Sequence, residues 1–232
     1  MLTVAIGIFI TQALQAQEHS NAWFRTTWSV PVGNKFKIDN EFQHRRQSGF
    51  NNENVLDKNL MFTYRNWAYY QPTEKVKFAV SPFAYFKHYK MIQNQADETT
   101  KSTNEIRFSA TVELQHKLLK KLYILDRSAV EYRVFNNNQS NITRFRNRLG
   151  VRYDFTEQVK LSVYDELSLN VFGTDKTHFF DYNRIGIQLE YRIFPNLKFD
   201  VGYLRISRLP LKSTTLLYEN NIFVNATYQF KK

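Results

Sequence analysis

Cysteine is absent from the 232-residue chain, which excludes disulfides, thiolate catalysis and thiolate metal sites. Glycine is scarce: 7 residues stand against 20 Phe and 14 Tyr, a balance unusual for a soluble domain and suited to aromatic belts. Acidic residues are also in deficit, 21 against 32 basic, for a net charge of +11. Such an excess would suit nucleic acid or an anionic surface. The basic residues, however, are spread over every candidate strand without a clustered run, which argues against nucleic acid. After residue 16 no apolar run approaches the roughly 20 residues that a spanning helix needs. The mean hydropathy of −0.50 would by itself suggest a soluble protein. A membrane barrel escapes such an average because its apolar and polar residues alternate.

What is present is a period of two. Thr143–Phe155 (TRFRNRLGVRYDF) places Arg144, Arg146, Arg148, Arg152 and Asp154 on one face. Phe145, Leu149, Val151, Tyr153 and Phe155 fall on the other. That is the side-chain period of a β-strand, and its charged face requires water or acids opposite. Thr103–His116 alternates as cleanly, with Ile106, Phe108, Ala110, Val112 and Leu114 opposing Glu105, Arg107 and Glu113. Asn59–Tyr70 and Lys75–Tyr89 are read with Leu60, Phe62, Val76, Phe78, Val80, Ala84 and Phe86 facing outward. Pro82 lacks a ladder donor, so a bulge or break is expected there.

Eleven segments can be counted in this way. They are longer than soluble strands and suited to the roughly 9–11 residues that cross a bilayer. Short connections (PVGN, QPT, LLKK, TEQ, PN) alternate with mostly longer polar ones, as periplasmic turns alternate with extracellular loops. The expected fold is therefore all-β: a closed antiparallel transmembrane β-barrel of 10–12 strands. Bacterial barrels have even counts, which leaves ten or twelve, and twelve is preferred because Ala22–Val30 reads as strand sequence. A soluble lipocalin-type barrel is the main alternative, with the reverse polarity of apolar inside and polar outside. Leu2–Ile10 and the following TQALQA read as a signal peptide, residues 1–16, cut before Gln17, with residues 17–232 forming one domain.

If the parity holds, the lumen carries Glu105, Arg107, Glu113, Glu131, Arg133, Arg144, Arg146, Arg148, Arg152, Glu166, Arg184, Glu190 and Arg192. In a narrow lumen such side chains can cross-pair and fill it. Alternatively, arginine rings select anions and would line a pore. Near-equal pairing of Arg with Glu favours a filled lumen; an unpaired arginine excess favours the pore. Asp165, beside Glu166, is anomalous because it shares its face with Val163 and Leu167, and a bulge or an interfacial position would resolve it.

Catalysis and cofactors find little support. A wall-mounted lipid hydrolase or deacylase would place Ser beside His, often as H-x-S. None of His19, His44, His88, His116 and His178 has Ser two residues on. No metal-ligand spacing or phosphate-cradling glycine loop occurs, so no cofactor or metal is expected.

The runs RFRNRL (Arg144–Leu149), YDELSLN (Tyr164–Asn170), FFDYNRIGIQLEYR (Phe179–Arg192) and DVGYLR (Asp200–Arg205) resemble the DUF2490 family. These are exported barrel-like proteins found largely in Bacteroidota-type bacteria. The matching polar positions are Arg146, Arg148, Asp165, Glu166, Asn170, Asp181, Asn183, Arg184 and Tyr203. The resemblance implies a barrel and a location, and carries no activity with it. The expectation is thus an integral protein of a Gram-negative outer membrane, structural or narrow-channelled, with a charged and largely filled lumen. Its expected partners are outer-membrane lipid and lipopolysaccharide, the barrel-insertion machinery that reads an aromatic-ending last strand such as Tyr228–Phe230, and a small anionic solute.

Overall fold

The computed structural model describes residues 18–137 and 139–231, so the leader expected at residues 1–16, with its cut before Gln17, lies outside the described residues. Eleven strands make up the fold: β1 (Glu18–Pro31), β2 (Phe36–Gln47), β3 (Lys58–Thr73), β4 (Val76–His88), β5 (Thr103–Leu119), β6 (Leu122–Phe135), β7 (Ile142–Asp154), β8 (Val159–Phe172), β9 (Phe180–Phe194), β10 (Leu197–Arg208) and β11 (Leu217–Gln229). Each pairs with its sequence neighbours, and β11 pairs with β1, so the sheet closes on itself. Full closure removes unpaired strand edges and satisfies the backbone within the wall.

The strand count corrects two expectations. Among the described residues the barrel has eleven strands, not the preferred twelve, and each segment read from alternation is one of them. An up-and-down sheet with an odd count leaves its first and last strands pointing the same way. The seam between β1 and β11 is accordingly parallel, with Glu18 opposite Tyr218 and Ser29 opposite Gln229. A parallel ladder still pairs every backbone group, though slightly less stably per residue than an antiparallel one.

The connections keep their two classes. At one end the chain turns within residues 32–35, 74–75, 120–121, 155–158 and 195–196. At the other, residues 48–57, 89–102, 136–137 with 139–141, 173–179 and 209–216 lie in longer connections. We call these the turn end and the loop end.

The wall is apolar outside and charged inside, the reverse of a soluble barrel. Phe42, Phe108, Val151, Ile187 and Val224 are exposed, whereas Glu105, Glu131 and Glu166 are at most 1% exposed. On β4 the expected faces are wrong beyond Pro82. The register against β5 shifts between Ser81 and Ala84, so the bulge expected at Pro82 exchanges the faces. Phe83 and Tyr85 are exposed, while Ala84 and Phe86 are buried inside. Leu60 is likewise buried instead of outward, beside a register shift between Arg45 and Arg46 of the paired strand. No bulge relieves Asp165: β8 runs in unbroken register from Lys160 to Ser168 against β9, and Asp165 is exposed on the outer wall. There it accepts a hydrogen bond from Asn183 Nδ2 at 2.6 Å.

Candidate functional site

The arginine strand β7 lies between two acid-bearing neighbours. Glu131 on β6 stands opposite Arg144, and Glu166 on β8 stands opposite Arg148 and, on its other side, Arg184 of β9. Glutamate is short and remains against the wall; arginine is long and reaches over it. Arg144 donates from Nε to Glu131 Oε2 at 2.9 Å and from Nη1 to Asp181 Oδ2 at 2.7 Å. Arg146 spans Glu131 and Glu166, at 2.9 and 3.4 Å. Arg148 and Arg184 donate to Glu166 Oε2 at 2.8 and 2.9 Å, and the Tyr182 hydroxyl donates to Oε1 at 2.8 Å. Arg107 links this group to Glu105, with Nε 2.7 Å from Glu105 Oε1 and Nη1 3.3 Å from Glu131 Oε2. Arg133 and His88 also contact Glu105, each at 2.9 Å.

The remaining expected residues lie toward the turn end in separate pairs. Glu113 meets Lys77 and, at 3.2 Å, Arg127. Glu190 lies 3.2 Å from Lys160 and 2.7 Å from Lys198. Arg152 pairs with Asp154 of its own strand at 2.7 Å. Arg192 is exposed near the turns and makes no ion pair among the described residues, so it stands apart from the lumen group.

Several inward charges escaped the sequence reading: Arg25, Arg45, Arg65, Arg208 and Glu219; Asp181 entered it only as a position matching the family. Arg45 extends the Lys37–Gln43 polar face, so its parity was a usable signal. Arg65 lies between Thr63 and Trp67, and the aromatic residues of β3 obscured that face. Arg45 and Arg65 differ from the arginines of the Glu105–Arg184 chain, all of which form ion pairs with acids. Arg45 lies over the Trp23 ring at 3.5 Å, and Arg65 lies 5.2 and 5.1 Å from the Trp67 and Phe86 ring centres. Neither makes an ion pair among the described residues. Arg65's register neighbour Glu41 instead contacts Arg25 at 3.8 Å.

Two cavities occupy the lumen. The loop-half chamber, about 340 Å³, is lined by eleven arginines but by only Glu41 and Glu219 among the acids. Glu105, Glu131 and Glu166 lie behind the guanidiniums, covered by them. The turn-half chamber, about 460 Å³, mixes Lys37, Lys77 and Lys198 with Asp39, Glu113 and Glu190. Arg25, Glu41, Arg65, Arg127 and Arg148 line both chambers and mark their junction. Among the described residues, no cluster of His, Asp and Glu is arranged to hold a metal ion, and no helix is long and apolar enough to cross a membrane.

One comparison agrees with this architecture. A solved structure described as "NanC porin structure in rhombohedral crystal form" matches with a TM-score of 0.54 at 11% identity, covering 90% of this chain and 98% of that one. That likeness is one of fold. A second, "Bacterial polysaccharide outer membrane secretin", aligns with a TM-score of 0.48 at 11% identity over 86% of this chain and 67% of the other. No curated protein matches the sequence. The family model described as "Protein of unknown function (DUF2490)" matches residues 20–229. The chain therefore belongs to the DUF2490 family.

Proposed function

We propose that this protein is an integral outer-membrane barrel, without catalytic activity, whose lumen is a narrow passage favouring small anions. The observation that carries the reading is the layering of the loop-half chamber. Its carboxylates Glu105, Glu131 and Glu166 are buried against the wall and its guanidiniums face the cavity. Arg45 (over Trp23 and donating to Gln43 Oε1) and Arg65 (beside Trp67) pair with no acid among the described residues. Rings of arginine favour anions in pores. The apolar outer wall supports insertion in lipid, with the turns on the periplasmic side and the loops outward. Outer-membrane lipid, lipopolysaccharide and the insertion machinery are then its partners.

A purely structural barrel is the second reading, favoured by the continuous ion-pair chain from Glu105 to Arg184. The wall also offers little to a lipid-modifying enzyme. Asn147 Nδ2 donates to Asp126 and Ser128 at 3.1 and 3.0 Å on the outer face, but no histidine contacts that serine among the described residues.

Planar-bilayer recording across a KCl gradient separates the readings. Open events with an anion-selective reversal potential are expected, and Arg45→Gln with Arg65→Gln should reduce that selectivity several-fold. A barrel that never conducts would leave the structural reading standing. Turnover of phospholipid or lipid A by the purified protein would defeat the non-catalytic one.

A further inference from the structure

We propose that the loop-half chamber is a binding site for a small organic anion with a flat apolar body, an aromatic carboxylate being the type. This rests on the passage reading and specifies what the passage holds. Interiors of outer-membrane barrels are ordinarily polar. Here Trp23, Tyr164, Tyr182, Leu204, Ile206 and Phe223 meet in one buried cluster inside the barrel. They come from β8, β9, β10, β11 and β1, a contiguous arc of wall, and all six line the chamber. The facing arc, β5 to β7, lines the same chamber with arginines alone: Arg107, Arg127, Arg133, Arg144, Arg146 and Arg148.

The β8-to-β1 arc also carries Arg25, Arg184, Arg208 and Glu219, so its apolar cluster is set among polar groups. Facing an all-arginine arc, that cluster suits a ligand with an anionic and an apolar side. An inorganic anion would engage the arginines and make no use of the apolar arc. The volume of about 340 Å³ falls at the small end of ligand cavities.

Beside β2, which carries Arg45, Trp23 stands at the β1 end of the apolar arc. It is 4% exposed, its indole N–H can only donate, and no described residue accepts from Nε1. Arg45 lies across the same ring without a carboxylate partner. The indole N–H and the guanidinium thus form a pair of donors at the edge of the apolar arc. A carboxylate satisfies both while its ring turns toward Phe223 and Leu204. Gly202 makes room for this arrangement: a Cβ there would stand 2.4 Å from Phe223 Cζ.

The test compares benzoate with acetate on the purified full chain in planar bilayers. Selectivity in KCl is measured first, then the concentration of each anion that halves the current. Benzoate is expected to act at about tenfold lower concentration than acetate, because only its ring gains from apolar contact. Trp23→Phe keeps the ring and removes the donor, and Arg45→Gln removes the charge. Each removes a carboxylate donor and should raise the half-blocking concentration of benzoate severalfold, that of acetate rising with it. Heat-modifiability on gels shows that each variant is folded, and Arg45→Gln decides should Trp23→Phe fail to fold. Equal potency of benzoate and acetate in an anion-selective channel would overturn the site and leave the passage reading intact. A barrel that carries no current, yet whose tryptophan fluorescence responds to benzoate in wild type and not in Trp23→Phe, would support the site and defeat the passage.

Discussion

Glu131 is wholly buried and serves three guanidiniums, those of Arg107, Arg144 and Arg146. Removing one partner of a buried ionic group leaves the others uncompensated, which costs about 3–5 kcal/mol. Glu131→Gln is therefore expected to lower barrel stability by an amount on that scale, read as a shifted urea midpoint in lipid vesicles. Little change would mean that water already neutralises those arginines. Gly202 presents a different residue-level constraint, one of space. A Cβ there would meet Ile187 O at 2.2 Å as well as the Phe223 ring. Gly202→Ala should cost about 1–3 kcal/mol through overpacking, measured in the same unfolding assay. An unchanged midpoint would mean that Phe223 moves aside freely. The arginines of β7 were legible in the sequence because a strict alternation of Arg with apolar residues has one simple explanation. Arg65 was harder to see, since a single charge between the aromatic residues of β3 does not declare its face; Arg45 shared the parity of Lys37–Gln43 and could have been read.

At the scale of elements, β4 shows how one residue redirects a strand. Pro82 was recognisable as a break, yet the reversal beyond it depends on how many residues the bulge absorbs, and this is settled by the register against β3 and β5. The loops carry a titratable tie. His178 Nδ1 lies 2.9 Å from Asp175 Oδ1, and its Nε2 lies 3.0 Å from the carbonyl of Ser213 in the next loop. Both partners are acceptors, so both ring nitrogens donate only in the imidazolium form. The hydrogen bond to Asp175, supported by the Ser213 carbonyl, raises the His178 pKa above its usual value. Hydrogen bonds from Thr177 and His178 hold the Asp175 carboxyl down at about 2. A group with a raised folded pKa contributes fully below its unfolded value and loses that contribution as pH rises through the folded one. Proteolysis of the 209–216 loop is thus expected to be slow at acid pH and to quicken as pH rises past the shifted His178 pKa. His178→Gln should flatten the profile. An unchanged pH dependence in that variant would remove His178 as its cause.

For the whole molecule, closure makes the wall a cooperative unit with an apolar outside. Detergent-purified protein is expected to show a heat-modifiable band on gels and to fractionate with outer membranes. A soluble, heat-insensitive monomer would overturn the membrane reading. The alternation of apolar and polar residues, the length of the segments and the two classes of connection determined by themselves that the chain forms a barrel with charge inside. Those are local properties, set by the two-residue period and by turn chemistry. Tertiary structure alone decided the rest. The parallel seam arises because eleven strands must close without a free edge. Pairing was decided there too: which carboxylate each arginine of β7 reaches depends on register between strands that the sequence leaves far apart. So did the meeting of Trp23 with Tyr164, Leu204 and Phe223, since only a closed barrel brings β1 beside β11 and gathers their inward side chains around one chamber.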